Sequence, residues 1–93
     1  MLTKWIQFTV APESAKIFRD ELARIQMASK LEAGCLQYAA FQSELANVFN
    51  VLESWQDEAA FEAHRSSSHI AEFRDNCASM IAEKVGLSLD PIS

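Results

Sequence analysis

The sequence predicts an α+β fold of the ferredoxin-like type, in the order βαββαβ, with an antiparallel sheet and helices on one face. Three observations predict it. Residues 4–10 alternate in polarity as a half-buried strand does. Two later segments recur at helical spacing. Two apolar runs are separated only by Ser43-Glu44-Leu45-Ala46-Asn47, short enough for an antiparallel hairpin.

The elements follow in order. Ile6, Phe8 and Val10 lie on one face of the first strand, and Trp5, Gln7 and Thr9 on the other. Pro12 cannot continue a central strand, while Glu13 and Ser14 suit a first helical turn. From about Ser14 to Glu32, Ala15, Phe18, Leu22 and Ile25 mark one apolar stripe, and Gly34 stands where a left-handed cap belongs. Leu36 to Gln42 reads as the second strand, with Leu36, Tyr38 and Ala40 on one face, and Val48 to Trp55 reads as the third. Asp57 is a good N-cap for a short helix through Ala60, Phe61 and His64. After Ser66-Ser67-Ser68, one of which caps it, a last helix carries Ile70, Phe73, Cys77 and Ile81 on its apolar stripe. Gly86 to Asp90 reads as a brief closing strand before Pro91. The uncovered sheet face would carry Trp5, Phe41 and part of the third strand. So much apolar surface predicts a homodimer formed through it.

Composition excludes several function classes. The 93 residues fit one domain, 1–93, and a net charge of −5 speaks against nucleic acid as a partner. No apolar run is long enough for a membrane-spanning helix. Residues 1–5 show no apolar stretch of a secretory signal, so the expected location is cytoplasmic and Cys35 and Cys77 are expected to be reduced. With two glycines there is no phosphate-binding glycine loop, and no C-x-x-C pair is present.

The densest chemistry lies between Glu53 and Phe73. Glu53-x-Trp55-x-Asp57-x-x-Ala60-x-x-x-His64-x-x-Ser67-x-His69-x-x-x-Phe73 resembles the signature of the antibiotic biosynthesis monooxygenase family. Glu32-Ala33-Gly34-Cys35-Leu36-Gln37-Tyr38 is similar to a second family motif. The resemblance covers essentially the whole chain and implies a dimeric α+β barrel. Its quinol monooxygenase members oxidise electron-rich phenols, anthrones and quinols with O₂, using neither metal nor flavin. The resemblance therefore implies no cofactor and no metal. It implies a small aromatic quinol or phenol as ligand, with His64 and His69 as the groups that take or share its proton. Tyr38, Glu53, Trp55, Phe61 and Phe73 are the residues expected to bind it.

Each of these residues also has a purely structural role open to it. His64 could cap its helix, and His69 could hold the corner between the last two helices. Trp55, Phe61 and Phe73 could be core, and Tyr38 could face a dimer partner. Glu53, costly to bury alone, is expected to pair with a buried polar group or with Arg65 or Arg74. A metal set of His64, His69 and Glu72 matches no common spacing. The haem-degrading relatives need an asparagine on strand one, and a tryptophan and a histidine where this chain has His64 and Arg74. Two alternatives remain: a small-molecule isomerase resembling the autoinducer-2-phosphate isomerases, and a non-catalytic dimeric metabolite-binding module. The isomerase stands second because no cationic cluster for a phosphate is evident in the sequence.

Overall fold

A computed structural model describes residues 1–93. The order is β1 (Leu2–Val10), α1 (Ala15–Lys30), β2 (Cys35–Gln42), β3 (Val48–Trp55), α2 (Glu58–Arg65), α3 (Ser68–Cys77) and β4 (Ile81–Leu89). Short 3-10 turns over Pro12–Ser14 and Ala78–Met80 lead into α1 and β4. The four strands form one antiparallel sheet in the order β2-β3-β1-β4. This is the ferredoxin-like arrangement that the sequence predicts.

The helices cover one face, and the core lies beneath them. Phe8 and Val10 of β1, Phe49 and Val51 of β3, and Phe18, Leu22 and Ile25 of α1 are buried there with Ile70, Phe73 and Cys77 of α3. Phe18 is the hub, with ring centroids 5.2 Å from Phe8, 5.1 Å from Phe49 and 5.5 Å from Phe73. Such tilted contacts suit the aromatic quadrupole.

Register defines the other face. Leu87, Trp5, Leu52 and Ala39 form one row across the four strands, and Val85, Gln7, Asn50 and Phe41 form the next. Gln7 Nε2 donates to Asn50 Oδ1 at 3.1 Å, so the polar pair in this face is satisfied. Phe41, Leu87 and Leu89 are exposed.

Three expectations are corrected. The last helix ends at Cys77, and Ile81 belongs to β4, not to the helical stripe. Helix and strand both place an apolar residue there against the core, so the periodicity could not separate them. The closing strand is accordingly longer than the Gly86–Asp90 stretch. Leu36 is exposed and does not share the face of Tyr38, because an irregularity between Cys35 and Gln37 shifts the register with β3. A one-residue slip reverses a strand's faces.

Gly34 has φ +81° and sits in the turn after α1, whose C-cap is Leu31. A Cβ there would lie 2.6 Å from the Ala60 Cβ, and its carbonyl accepts from Gln56 N at 2.8 Å. This close approach of turn to helix brings Glu32, two residues earlier, to α2.

Candidate active site

Two histidines meet one carboxylate. Asp57 caps α2, its side chain accepting from Ala60 N at 2.9 Å, and the helix then carries His64 inward to 5% exposure. Ser67 Oγ donates to the His64 carbonyl at 2.7 Å and fixes the corner from which α3 starts. That corner delivers His69. Glu32 Oε2, from the turn after α1, lies 2.6 Å from His64 Nδ1 and 2.9 Å from His69 Nε2. An ionised carboxylate only accepts, so both ring nitrogens donate to it.

The tautomer of His64 follows. With its proton on Nδ1, the neutral ring keeps a lone pair on Nε2. That nitrogen faces Glu53 Oε1 at 3.7 Å. Glu53 is 1% exposed, and Trp55 Nε1 donates to the same oxygen at 2.8 Å. Burial, only partly offset by this bond and by the nearby His64 ring and Lys84 ammonium, raises the Glu53 carboxyl above the usual carboxylate range. Tyr38, beside Glu53 in the β2–β3 register, is held as a neutral phenol, its pKa raised by burial and by Glu53 and Glu32. The Trp55 and His64 rings lie 4.4 Å apart between centroids, tilted by 33°.

Beside this network is a cavity of about 180 Å³ between the helices and the covered sheet face. His64, Tyr38, Glu53, Phe61 and Phe73 line it, with Ile6, Phe8, Ile25 and Ile70 completing the apolar wall. Of the residues singled out in the sequence, these five come together. His69 and Trp55 are not in the lining: His69 stands behind Glu32, and fully buried Trp55 stands behind Glu53.

The structure also decides three local assignments. Of the partners expected for Glu53, it takes buried polar groups, those of Trp55 and His64, and not Arg65 or Arg74. Glu72 is bound to Arg24 at 3.1 Å on the surface, so the carboxylate joining the histidines is Glu32. Glu32, His64 and His69 each offer one ligand atom within 4.8 Å of one another, which makes them the set that could hold a metal ion. Their three atoms are engaged with one another by hydrogen bonds. Finally, a cationic cluster does exist: Arg65, Arg74 and Lys84 line the cavity. They come from α2, α3 and β4, and their distance in sequence hid their convergence. Glu32 stands in the second motif, but its pairing with the histidines was hidden likewise, because it lies more than 30 residues before them.

The thiols lie apart from this chemistry. Cys77 is buried and its pKa is pushed up to about 11, chiefly by desolvation; Cys35 is raised for the same reason.

Comparison with known proteins gives a consistent result. The family model for antibiotic biosynthesis monooxygenase matches residues 1–76. The Bacillus subtilis (strain 168) protein YcnE is 35% identical over 65 residues, covering 69% of this chain and 68% of that protein. The crystal structure of PA3566 from Pseudomonas aeruginosa superposes with a TM-score of 0.93 at 30% identity, covering 99% of this chain and 94% of that one. A solved antibiotic biosynthesis monooxygenase gives a TM-score of 0.93 with full coverage of both chains. At 21% identity, that likeness is one of fold.

Proposed function

The chain belongs to the antibiotic biosynthesis monooxygenase family, and from that premise we propose that it is a cofactor-independent monooxygenase acting on a small aromatic quinol or phenol with O₂. The observation that carries the proposal is His64. Its Nδ1 is held by Glu32 at 2.6 Å, and its ring borders an aromatic-lined cavity.

His64 Nε2 takes the phenolic proton. Glu32 fixes the tautomer, stabilises the imidazolium that forms, and is itself held by His69. His69 is therefore a positioning residue. The substrate anion gives one electron to O₂, and the resulting radical pair combines at a ring carbon. The peroxide anion takes the proton back from His64. The hydroperoxide then loses water together with the hydrogen of that ring carbon, so one oxygen atom stays on the product as a carbonyl and the other leaves as H₂O. Phe61, Phe73 and Phe8 hold the ring, and neutral Tyr38 offers a phenolic hydrogen bond. The cavity is below the ordinary drug-sized range of 300–1,000 Å³, which favours one or two rings.

The same proposal includes a homodimer through the open sheet face. The row Leu87-Trp5-Leu52-Ala39 and exposed Phe41 supply an apolar patch suited to a second copy. No helix is long and apolar enough to cross a membrane, and free Cys35 and Cys77 fit a cytoplasmic location. The isomerase alternative gains one point from the structure, because Arg65, Arg74 and Lys84 could take a phosphate.

The experiment is oxygen uptake by chelator-treated protein over a panel of quinols and anthrones, with spontaneous autoxidation subtracted. Catalysed uptake that is lost in His64→Gln is the expected result. No uptake across the panel overturns the oxygenase proposal in favour of the isomerase or the binding module.

A further inference from the structure

The cavity is charged in a way that its proposed chemistry does not require. The chain carries a net charge of −5 with only eight Lys and Arg residues, yet Arg65, Arg74 and Lys84 line this one cavity. Lys4 adds its ammonium 5.1 Å from the centre of the Phe61 ring, a lining side chain. Like charges brought together in this way repel one another unless an anion joins them. Protein carboxylates do not supply it. Arg65 reaches only exposed Glu62, at 3.2 Å, and neither Arg74 nor Lys84 has a carboxylate within 4 Å. The one acid in the lining, Glu53, is hydrogen-bonded by Trp55 and makes no ion pair with any of the three cations.

Register separates Lys84 from Glu53 along the sheet. Lys84 pairs with Phe8 of β1, and Glu53 pairs with Lys4 of the same strand. Four strand residues set those backbone positions roughly 13 Å apart, and the long Lys84 side chain covers part of that span. Lys84 Nζ lies 5.7 Å from the centre of the Phe8 ring, and Phe8 in turn lies 6.0 Å from Phe73, the neighbour of Arg74. Arg74 and Lys84 thus flank the Phe8 and Phe73 wall of the cavity, with the Lys84 charge also reaching Glu53.

We propose that the ligand is an aromatic anion, carrying a carboxylate or phosphate that Arg74 and Lys84 bind while its hydroxyl meets His64. A guanidinium offers paired donors to such a group and the lysine adds a point charge. The proposal rests on the cavity being the ligand site, and it names the substrate class within it.

The test is a binding measurement that needs no turnover. Titration calorimetry compares 6-hydroxy-2-naphthoate with neutral 6-hydroxy-2-naphthamide, and then with 6-hydroxy-2-naphthyl phosphate. At low salt the naphthoate is expected to bind about tenfold more tightly than the amide, with the gap narrowing as salt rises. Arg74→Gln and Lys84→Gln should each reduce the gap at least threefold, and the double variant should remove it. Arg19→Gln, a change of the same charge on another face, should leave it intact. A phosphate that outbinds the carboxylate supports the proposal and assigns phosphate as the group. Equal affinity for acid and amide overturns it, as does failure of both to bind at millimolar concentration, or a preference that survives the double variant. All three cations are exposed, so the variants should fold. Oxygen uptake without an anion preference defeats this proposal alone. An anion preference without oxygen uptake upholds it and defeats only the oxygenase chemistry.

Discussion

Glu32 Oε2 lies 2.6 Å from His64 Nδ1, and this one contact decides which nitrogen of His64 is free to act as a base. Because the proton resides on Nδ1, Nε2 is the acceptor. His64→Gln removes that acceptor but keeps an amide near Glu32. General-base removal typically costs 10²–10⁴-fold, so quinol-dependent oxygen uptake should fall by about that factor with substrate binding little changed. A loss confined to KM would mean that His64 binds and does not accept the proton.

Glu32→Gln should act through His64. A neutral amide stabilises the imidazolium less than a carboxylate does, so the rate should fall. His69→Ala leaves that contact in place and should cost no more than about tenfold, the low end of a positioning effect. Full pH–rate profiles for the three proteins check both. Identical profiles for wild type and Glu32→Gln would remove Glu32 from the mechanism.

Glu53 predicts a pH-dependent stability. Its folded pKa is raised chiefly by burial, so the neutral acid is the better tolerated form. Its contribution is therefore fully present below the unfolded value near 4.5 and is lost as pH rises through the folded value. Glu53→Gln keeps an oxygen to accept from Trp55 Nε1 and cannot ionise. Denaturation midpoints between pH 4 and 8 should show the variant equal to wild type at the acid end and more stable at pH 8. A variant less stable at pH 8 would show that the ionised carboxylate holds the site together.

The fold was legible because each element had its own period: the alternation around Phe8, the stripe of Phe18, Leu22 and Ile25, and the Asp57 cap. The candidate site was only half legible. His64, Tyr38, Glu53, Phe61 and Phe73 converge as their residue types suggested. Glu32 opened a recognisable motif, but nothing local tied it to the histidines, and Arg74 and Lys84 carried no signal of a ligand role, since two exposed cations look like any solvated surface. The packing of α3 and the register of β4 bring Arg74 and Lys84 to the cavity, and the close turn at Gly34 brings Glu32 to the histidines.

That turn is itself open to test. Gly34→Ala forces a Cβ into left-handed backbone, costing roughly 1–2 kcal/mol, and sets it 2.6 Å from the Ala60 Cβ. The overlap should add roughly 1–3 kcal/mol. Ala60→Gly alone should cost about 1 kcal/mol from helix propensity. In the double variant the overlap vanishes and the strain remains, so chemical denaturation should return a coupling energy opposite in sign to the two single costs. Simple additivity would show that the turn shifts away from α2, and His64 would then lose Glu32 without any change in either residue.

The open sheet face gives the last prediction. Leu52 lies in the row between Trp5 and Ala39, on the face opposite His64 and the cavity. Leu52→Glu places a charge in the middle of that row, where a second copy of the chain would have to bury it without a partner. Burying an unpaired charge outweighs what one leucine contributes, roughly 1.5–3 kcal/mol. Sedimentation of the wild-type chain should therefore give a dimer, and the variant should sediment as a monomer over the same concentrations. Far-UV circular dichroism should stay native, since Leu52 stands outside the buried core. A wild-type monomer at high micromolar concentration would assign this face to another role and leave the cavity complete within one chain.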